Sequence, residues 1–182
     1  MRIVSGKFRS RKILNVEDDK TRPTTDKNRE AIYNLIGPYF HGGTCLDLFS
    51  GSGALGIEAL SRGMEYCYFC DISNEAIKAI HANLKTLKIN DAKVFQRDYK
   101  KVLKLLKAEE VKLDLVLLDP PYKMFDIEEM IKLLCDYDII SDDVIIVTET
   151  SKETTLKDEI ECVIKTKEKV YGITRVCIFG RK

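Results

Sequence analysis

The sequence predicts an α/β protein with a doubly wound, mainly parallel, seven-stranded sheet, a C-terminal antiparallel hairpin and a small basic N-terminal extension. Two observations carry the prediction. Between residues 37 and 150, five short apolar runs are separated by segments with helical periodicity, as in successive βα units. In the last third, two strand-like runs are joined through Tyr171-Gly172, which favours a hairpin at the edge of the sheet.

The elements are predicted in order along the chain. Two short strands are expected at residues 2–4 and 12–16, with Gly6 available for a turn. Thr24 or Thr25 can cap the first helix, which Gly37-Pro38 ends. The core strands are predicted at residues 44–49, 66–70, 93–97, 113–118 and 144–149, and the hairpin strands at 161–169 and 174–179. The helices are predicted at residues 26–36, 54–61, 74–87, 99–106 and 126–135.

Length and composition favour one soluble domain with a short appendage. The chain has 182 residues, of which 45% are hydrophobic and 32% charged, values that are ordinary for a globular protein. We divide it into an N-terminal part, residues 1–36, and a main domain, residues 37–182. The first residues lack the apolar core of a signal peptide, and no apolar run approaches the length of a membrane span. We expect a cytoplasmic monomer without membrane contact.

The six cysteines are scattered, mostly in apolar runs, where reduced cysteine behaves as a small hydrophobic residue. Cys67 and Cys70 have C-x-x-C spacing, but the sequence has no second close pair to complete a zinc site. The pair also lies inside a predicted strand, whereas a redox pair begins a helix. We expect no metal and no redox role.

The net charge of +1 conceals an asymmetry along the chain. Residues 1–30 carry +4, residues 165–182 carry +5, and the region between them carries −8. Basic ends around an acidic centre suggest an anionic partner at the edges of the protein and a cationic or polar ligand in its middle.

A glycine-rich loop follows the first core strand and opens a helix. Gly51, Gly53 and Gly56 satisfy G-x-G-x-x-G, and Asp71 lies 20 residues beyond Gly51. By spacing alone, the loop suits either NAD or S-adenosylmethionine. Asp47 decides between them, because its carboxylate would repel the pyrophosphate of NAD and attract the ammonium and sulfonium of S-adenosylmethionine.

Aspartates end or directly follow four consecutive predicted strands, at Asp47, Asp71, Asp98 and Asp119. Each one alone could be an ordinary helix cap. In a doubly wound sheet, however, all four would share the edge where ligands bind. We expect Asp47 near the amino acid end of the cofactor, Asp71 at the ribose, Asp98 near the adenine amino group and Asp119 facing the acceptor. Further candidate cofactor contacts are Phe49, Gly51, Gly53 and Ile72.

Asp119-Pro120-Pro121-Tyr122 ends the apolar run 113–118. Two prolines cannot donate to a sheet ladder, so the strand stops there. One interpretation is a turn that caps a buried strand. The other is a pocket for a flat ligand with an exocyclic amino group, in which oxygen acceptors hold the N–H atoms and Tyr122 stacks on the ring.

These motifs resemble a known family. The glycine-rich loop with Asp71 resembles that of class I S-adenosylmethionine-dependent methyltransferases, and residues 119–122 resemble the [D/N]-P-P-[Y/F] motif of enzymes that methylate exocyclic amino nitrogens. Residues 2–13 and the R-P-T-T-D stretch at 22–26 are similar to the N-terminal signature of the RsmD family. The resemblance implies a Rossmann-like methyltransferase fold and methylation of guanine N2 in 16S ribosomal RNA. Ser10 stands where that pattern has a glycine.

The chemistry of the residues themselves suggests a role for each of them in such a reaction. Asp119 and the Pro120 carbonyl are expected to hold the amino group, and Tyr122 to stack on the base. S-adenosylhomocysteine would be the product. The candidate RNA contacts are the basic residues Arg2, Lys7, Arg9, Arg11, Lys12, Arg22, Lys27 and Arg29. A merely solvated charged segment is the alternative for them.

Three rival functions stay open on the sequence. A DNA adenine-N6 methyltransferase could use the same turn, but usually has an additional target-recognition region. A glutamine-N5 methyltransferase is associated with asparagine at the position of Asp119. A ribosome-assembly factor could bind the RNA and use the methyl donor only incidentally.

Overall fold

The computed structural model describes residues 1–16, 26–121 and 126–182. These ranges contain five helices and eight strands. The helices are α1 (Asp26–Ile36), α2 (Ala54–Ser61), α3 (Asn74–Leu87), α4 (Tyr99–Ala108) and α5 (Ile127–Asp136). The strands are β1 (Thr44–Asp47), β2 (Tyr66–Asp71), β3 (Ala92–Gln96), β4 (Leu113–Leu118), β5 (Ile140–Ser151), β6 (Glu159–Ile160), β7 (Val163–Tyr171) and β8 (Thr174–Arg181).

The strands form one sheet in the order β3-β2-β1-β4-β5-β8-β7-β6. Strands β1 to β5 pair in parallel, whereas β8 joins β5 antiparallel and continues the sheet with β7 and β6. The predicted doubly wound sheet with its C-terminal hairpin is confirmed. The described sheet has eight strands rather than seven, because the two-residue strand β6 folds back onto β7.

Two predictions about strands need correction. The N-terminal strands reduce to a single antiparallel bridge between Arg2 and Lys12. Beside that bridge, Ile3 N and Ile13 N donate to the carbonyls of Arg11 and Met1. Other backbone N–H groups of this segment bond to side chains of the main domain instead of to a neighbouring strand. Strand β5 is longer than predicted, because β4 pairs with it along one side and β8 along the other.

Hydrophobic side chains cover both faces of the sheet. Successive residues of a strand point to opposite faces. In β4, Val116 and Leu118 therefore join the cluster under α4 and α5, whereas Leu115 and Leu117 join the cluster under α1, α2 and α3. The N-terminal segment, residues 1–16, is packed into that second cluster. In the described ranges, no helix is long and apolar enough to cross a membrane.

The cysteines differ in part from the expectation that all are reduced. The structure pairs Cys135 with Cys162 in a disulfide, with the Cα atoms 5.8 Å apart. The two cysteines are 27 residues apart in the sequence, so no local spacing indicates that they are close. They meet because the end of α5 lies beside the turn into β7. Cys67 and Cys70 belong to the clusters on opposite faces of the sheet, so they do not form a chelating pair.

Candidate active site

A cavity of about 690 Å³ opens at the carboxyl ends of the parallel strands. Ligands of doubly wound sheets bind there, next to the point where the strand order reverses. In this protein that point lies between β1 and β4. We name three parts of the lining. The cofactor end includes Phe49, Gly51, Asp71, Ile72 and Asp98, the acceptor end includes Asp119, Pro120, Glu149 and residues 171–174, and the N-terminal wall includes Asn15, Lys27 and Asn28.

The loop between β1 and α2, here called the cofactor loop, is held by its own hydrogen bonds. Ser50 Oγ donates to the Asp47 carbonyl over 2.6 Å and accepts from Cys70 N at 2.9 Å. Gly51 N donates to Asp71 Oδ2 over 2.9 Å. Gly53 has φ 80°, a left-handed conformation that favours glycine. These bonds tie the ends of β1 and β2 together and shape a concave rim.

Gly56 allows the helix to approach the sheet closely. A Cβ atom at this position would lie 2.5 Å from Phe69 Cε1 and 2.8 Å from Cys67 Sγ, both on β2. Real Cβ atoms do not tolerate such contacts. The third glycine of the motif therefore serves the packing of α2 on β2, which sets the position of the cofactor loop.

Asp47 lies beneath the loop and not on the cavity surface. It is 1% exposed, and its Oδ2 accepts from Gly56 N over 2.9 Å. Burial raises the pKa of Asp47 to about 7; the bond from Gly56 opposes this rise, and the charges of Asp119 and Asp71 add to it. We therefore revise its expected role from direct contact with the cofactor to support of the loop from below.

The cofactor end combines an exposed apolar side chain with carboxylates. Ile72 is 70% exposed at the rim, next to Asp71. Asp71 accepts from Gly51 N and Ser73 N, and Asp98 accepts from Lys100 N as the cap of α4. An apolar platform beside carboxylate oxygens fits a nucleoside, with its ring on Ile72 and its ribose hydroxyls on Asp71. The described residues contain no group of three or more His, Cys, Asp or Glu side chains placed to hold a metal ion.

The acceptor end is formed by two adjacent strand ends and one turn. Asp119 and Pro120 follow β4, and Glu149 lies on β5, next in the sheet. The turn between β7 and β8 completes this end with Tyr171 and Ile173. Asp119 and Pro120 thus face the same cavity as the cofactor end. Tyr122 and Arg22 lie outside the described residues, so their predicted roles stay predictions.

A buried cluster of charges fastens the N-terminal segment to α2. Glu58, which is fully buried, accepts from the backbone N–H groups of Val4 and Ser5 at 2.9 Å each. It also accepts from Arg62 Nε at 2.8 Å and from Arg29 Nε at 3.3 Å. The prediction that Arg29 contacts RNA is therefore wrong, because its side chain is 0% exposed and is used inside the protein.

Asn83 links the same segment to the cofactor loop. This residue of α3 is 1% exposed. Its Oδ1 accepts from Leu14 N at 2.7 Å, and its Nδ2 donates to the carbonyls of Leu14 and Ser52 at 3.0 and 2.9 Å. One amide therefore holds both the N-terminal segment and the loop.

The comparisons with known proteins agree with this geometry. The family model described as "Conserved hypothetical protein 95" matches residues 1–180. The chain belongs to this family. The recognition of RsmD-like motifs in the sequence is thereby confirmed.

Relatives and solved structures support the assignment along the whole chain. The Bacillus subtilis protein YlbH is 41% identical to this chain over 183 residues, and the match covers 100% of each of the two proteins. A protein named ribosomal RNA small subunit methyltransferase D from Haemophilus influenzae is 34% identical over 95% of this chain and 90% of its own length. The structure of Escherichia coli yhhF is 33% identical, with a TM-score of 0.85, and covers 100% of this chain and 98% of that one.

Apart from Arg29, the described basic residues that were predicted to bind RNA lie on the surface of this family member. Arg2, Arg9, Arg11 and Lys12 are exposed, and Lys7 lies over the Phe8 ring at 5.0 Å. Lys27 is exposed at the N-terminal wall of the cavity. The segment therefore presents several cations on one side and is fixed to the main domain on the other.

Several cavity residues could not be predicted from the sequence. Glu149 ends a predicted strand, and the turn at residues 171–174 is predicted as part of a hairpin, without a place in the site. The sheet order brings both to the cavity. Asn28 reaches it from α1, whereas Arg97 and Tyr99 lie there as the chain neighbours of Asp98.

Proposed function

We propose that this protein transfers a methyl group from S-adenosylmethionine to the exocyclic N2 atom of a guanine in 16S ribosomal RNA. The observation that carries the proposal is the position of Asp119-Pro120, which ends β4 directly beside β1 and its cofactor loop. The printed names of the Haemophilus influenzae relative and of an Escherichia coli relative, 32% identical over the whole chain, support ribosomal RNA as the substrate. We further propose that the enzyme acts as a cytoplasmic monomer on a small-subunit particle.

The residues of the cofactor end would hold the methyl donor. Asp71 would bind the ribose hydroxyls, Asp98 the adenine amino group, and Ile72 and Phe49 the adenine faces. Gly51 would allow close approach of the backbone. When bound, S-adenosylmethionine supplies an electrophilic methyl group on a sulfonium.

At the acceptor end, hydrogen bonding would orient the nucleophile. The lone pair of an aryl amino group is delocalised into the ring, so the free amine reacts poorly. The Asp119 carboxylate and the Pro120 carbonyl would accept hydrogen bonds from its two N–H groups and turn the lone pair out of conjugation. After the nitrogen has taken the methyl group, it would release one proton, for which the Asp119 carboxylate is the adjacent acceptor. Tyr122 would stack on the base. Positioning of this kind supplies several kcal/mol of barrier reduction in enzymes generally.

The target base must leave its stack to reach this cavity, since a paired base is inaccessible to such a pocket. The exposed cations of residues 1–16 would hold the neighbouring phosphates, and Lys27 would do so at the mouth of the cavity. Arg22 is a further candidate from the sequence.

The test is transfer of a labelled methyl group from S-adenosylmethionine to small-subunit particles that lack this modification, followed by mapping of the labelled nucleotide. Label in N2-methylguanine of 16S RNA is the expected result. In a parallel assay with duplex DNA, label in adenine would support the DNA methyltransferase instead. Label in the protein of the particles would support the glutamine methyltransferase, and no label in either assay would support an assembly factor.

Asp119→Ala separates chemistry from binding. Turnover should fall about 10²-fold or more, as on loss of a positioned catalytic group, because alanine has no oxygen to accept a hydrogen bond from the amino group. Affinity for S-adenosylhomocysteine should stay within about 2-fold, because Asp71 and Asp98 lie elsewhere on the rim. Parental turnover in this variant would remove Asp119 from the mechanism.

A further inference from the structure

We infer that Glu149 reads the Watson–Crick edge of the acceptor base and selects guanine over other purines. This inference rests on the proposed function, since it names the base that the same cavity accepts. It assigns a specificity role to a carboxylate on β5 that no sequence motif contains.

The sheet register places Glu149 beside Asp119. Leu118 of β4 pairs with Thr148 of β5 in parallel register. The residues that follow them, Asp119 and Glu149, therefore lie side by side. Neighbouring strands lie about 4.8 Å apart. Both side chains line the cavity, so two carboxylates stand side by side at the acceptor end.

The side chain of Glu149 is almost completely buried. It is 4% exposed, and β4 and β8 flank it on both sides, with Val176 of β8 opposite it. A buried acceptor discriminates strongly between ligands, because a ligand that lacks the matching donor leaves the acceptor without its hydrogen bond.

Guanine presents the complementary row of donors. Its N1–H stands directly next to the N2 amino group, so three N–H bonds point from one edge. Asp119 and the Pro120 carbonyl would take the two amino hydrogens, and Glu149 would take N1–H. Adenine and 2-aminopurine have an unprotonated N1 whose lone pair would face the carboxylate. The pair of carboxylates therefore selects the base, whereas Asp119 alone selects only an amino group.

The experiment compares guanine with 2-aminopurine, which keeps the amino group at C2 but has no N1–H. Small-subunit particles are assembled on 16S RNA that carries either base at the mapped target position, installed by splinted ligation. The parent, Glu149→Gln and Glu149→Asp are compared by kcat/KM for labelled methyl transfer. Thr148→Val, a change at the neighbouring buried position whose side chain points away from the cavity, is the matched control.

The glutamine variant should lose about 10- to 100-fold in kcat/KM on guanine, the cost of one specific polar contact to a base edge. Its preference for guanine over 2-aminopurine should fall by at least about 10-fold, because the glutamine amide can donate to N1. Thr148→Val should keep the parental preference. An unchanged preference in Glu149→Gln overturns the inference.

Two further readouts keep the test decisive. If Glu149→Gln does not fold, Glu149→Asp replaces it: a loss of at least about 10-fold on guanine with unchanged S-adenosylhomocysteine affinity supports the role, and parental kcat/KM overturns it. If the parent enzyme does not methylate particles that carry guanine at the target position, the proposed function is overturned instead. A failure of the inference about Glu149 can therefore be distinguished from a failure of the proposed function.

Discussion

The cofactor loop and the N-terminal segment both border the cavity, but they are attached to the rest of the protein in different ways. The loop lies between β1 and α2, and short bonds from Ser50, Gly51 and Gly56 to groups on β1 and β2 close it. The N-terminal segment, residues 1–16, folds on itself through backbone bonds such as those from Ile3 N to the Arg11 carbonyl and from Ile13 N to the Met1 carbonyl. Side chains far away in the sequence, above all Glu58, Ser61 and Asn83, hold it against the main domain.

Because of this difference, the two regions should be sensitive to different kinds of mutation. The loop depends on backbone geometry and on close packing against β2, so steric changes should damage it. The N-terminal segment depends on a buried charge, so removing that charge should damage it while the loop survives. Asn83 bonds to both the segment and the loop through the same side chain.

The largest effect is expected from Glu58→Ala. Loss of this carboxylate leaves Arg29 and Arg62 buried without their shared partner and frees the N–H groups of Val4 and Ser5. Breaking a buried ion pair in this way costs about 3–5 kcal/mol. Urea denaturation should show the loss, and hydrogen exchange should show that residues 1–16 open first. A full loss of S-adenosylhomocysteine binding at temperatures where the variant is folded would contradict the separation of the two regions.

A pH-dependent effect is expected from Asp47→Asn. The pKa of Asp47 is raised from 3.8 to about 7 in the folded protein, chiefly by burial. Between these values the folded state binds the proton and the unfolded state does not, so stability falls as pH rises through this window. The total loss of stability across this window is on the order of 4 kcal/mol.

Asparagine can still accept from Gly56 N but does not titrate. The free energy of unfolding of the variant, relative to the parent, should therefore rise between about pH 4 and pH 7 and be constant outside that window. Urea denaturation of both proteins across this range is the measurement. A difference that does not change with pH would mean that Asp47 is ionised normally in the folded protein.

These regions also differ in how far the sequence predicted them. The position of the loop and its glycines could be predicted, because glycine spacing and a following acid express a local backbone requirement. The burial of Asp47 beneath the loop could not, because it depends on the packing of α2. The fold followed from the alternating pattern, and α1, α2 and α3 have the predicted bounds. Arg29 was misassigned, because a surface cation and a buried one look alike until the partner, Glu58, is known. Glu149 and the turn at 171–174 reach the cavity only through the order β4-β5-β8-β7.

A smaller effect is expected from Gly56→Ala. The added methyl group would press on Phe69 and Cys67 of β2, and overpacking of this kind costs about 1–3 kcal/mol. Because α2 would shift, affinity for S-adenosylhomocysteine, measured by calorimetry, should fall while RNA binding persists. Gly180→Ala is the control, since its nearest atom lies at an ordinary 3.6 Å. Equal affinities of the parent, Gly56→Ala and Gly180→Ala would mean that the packing of α2 on β2 does not determine the shape of the cofactor loop.

The smallest effect tests the outer side of the N-terminal segment. Arg9→Ala and Arg11→Ala remove exposed cations without touching the contacts of Glu58. If each arginine neutralises one phosphate, each change should lower the slope of log binding constant against log salt by about 1. Binding of 16S RNA between about 50 and 200 mM salt is the measurement.

Lys104→Ala supplies the matched control for this titration. Lys104 is also an exposed cation, but it lies on α4, which packs on the opposite face of the sheet from the N-terminal segment. Its removal should leave the salt slope unchanged. Equal changes in all three variants would mean that RNA senses only the overall charge, and the N-terminal segment would then be a fixed wall of the cavity without a role in gripping the substrate.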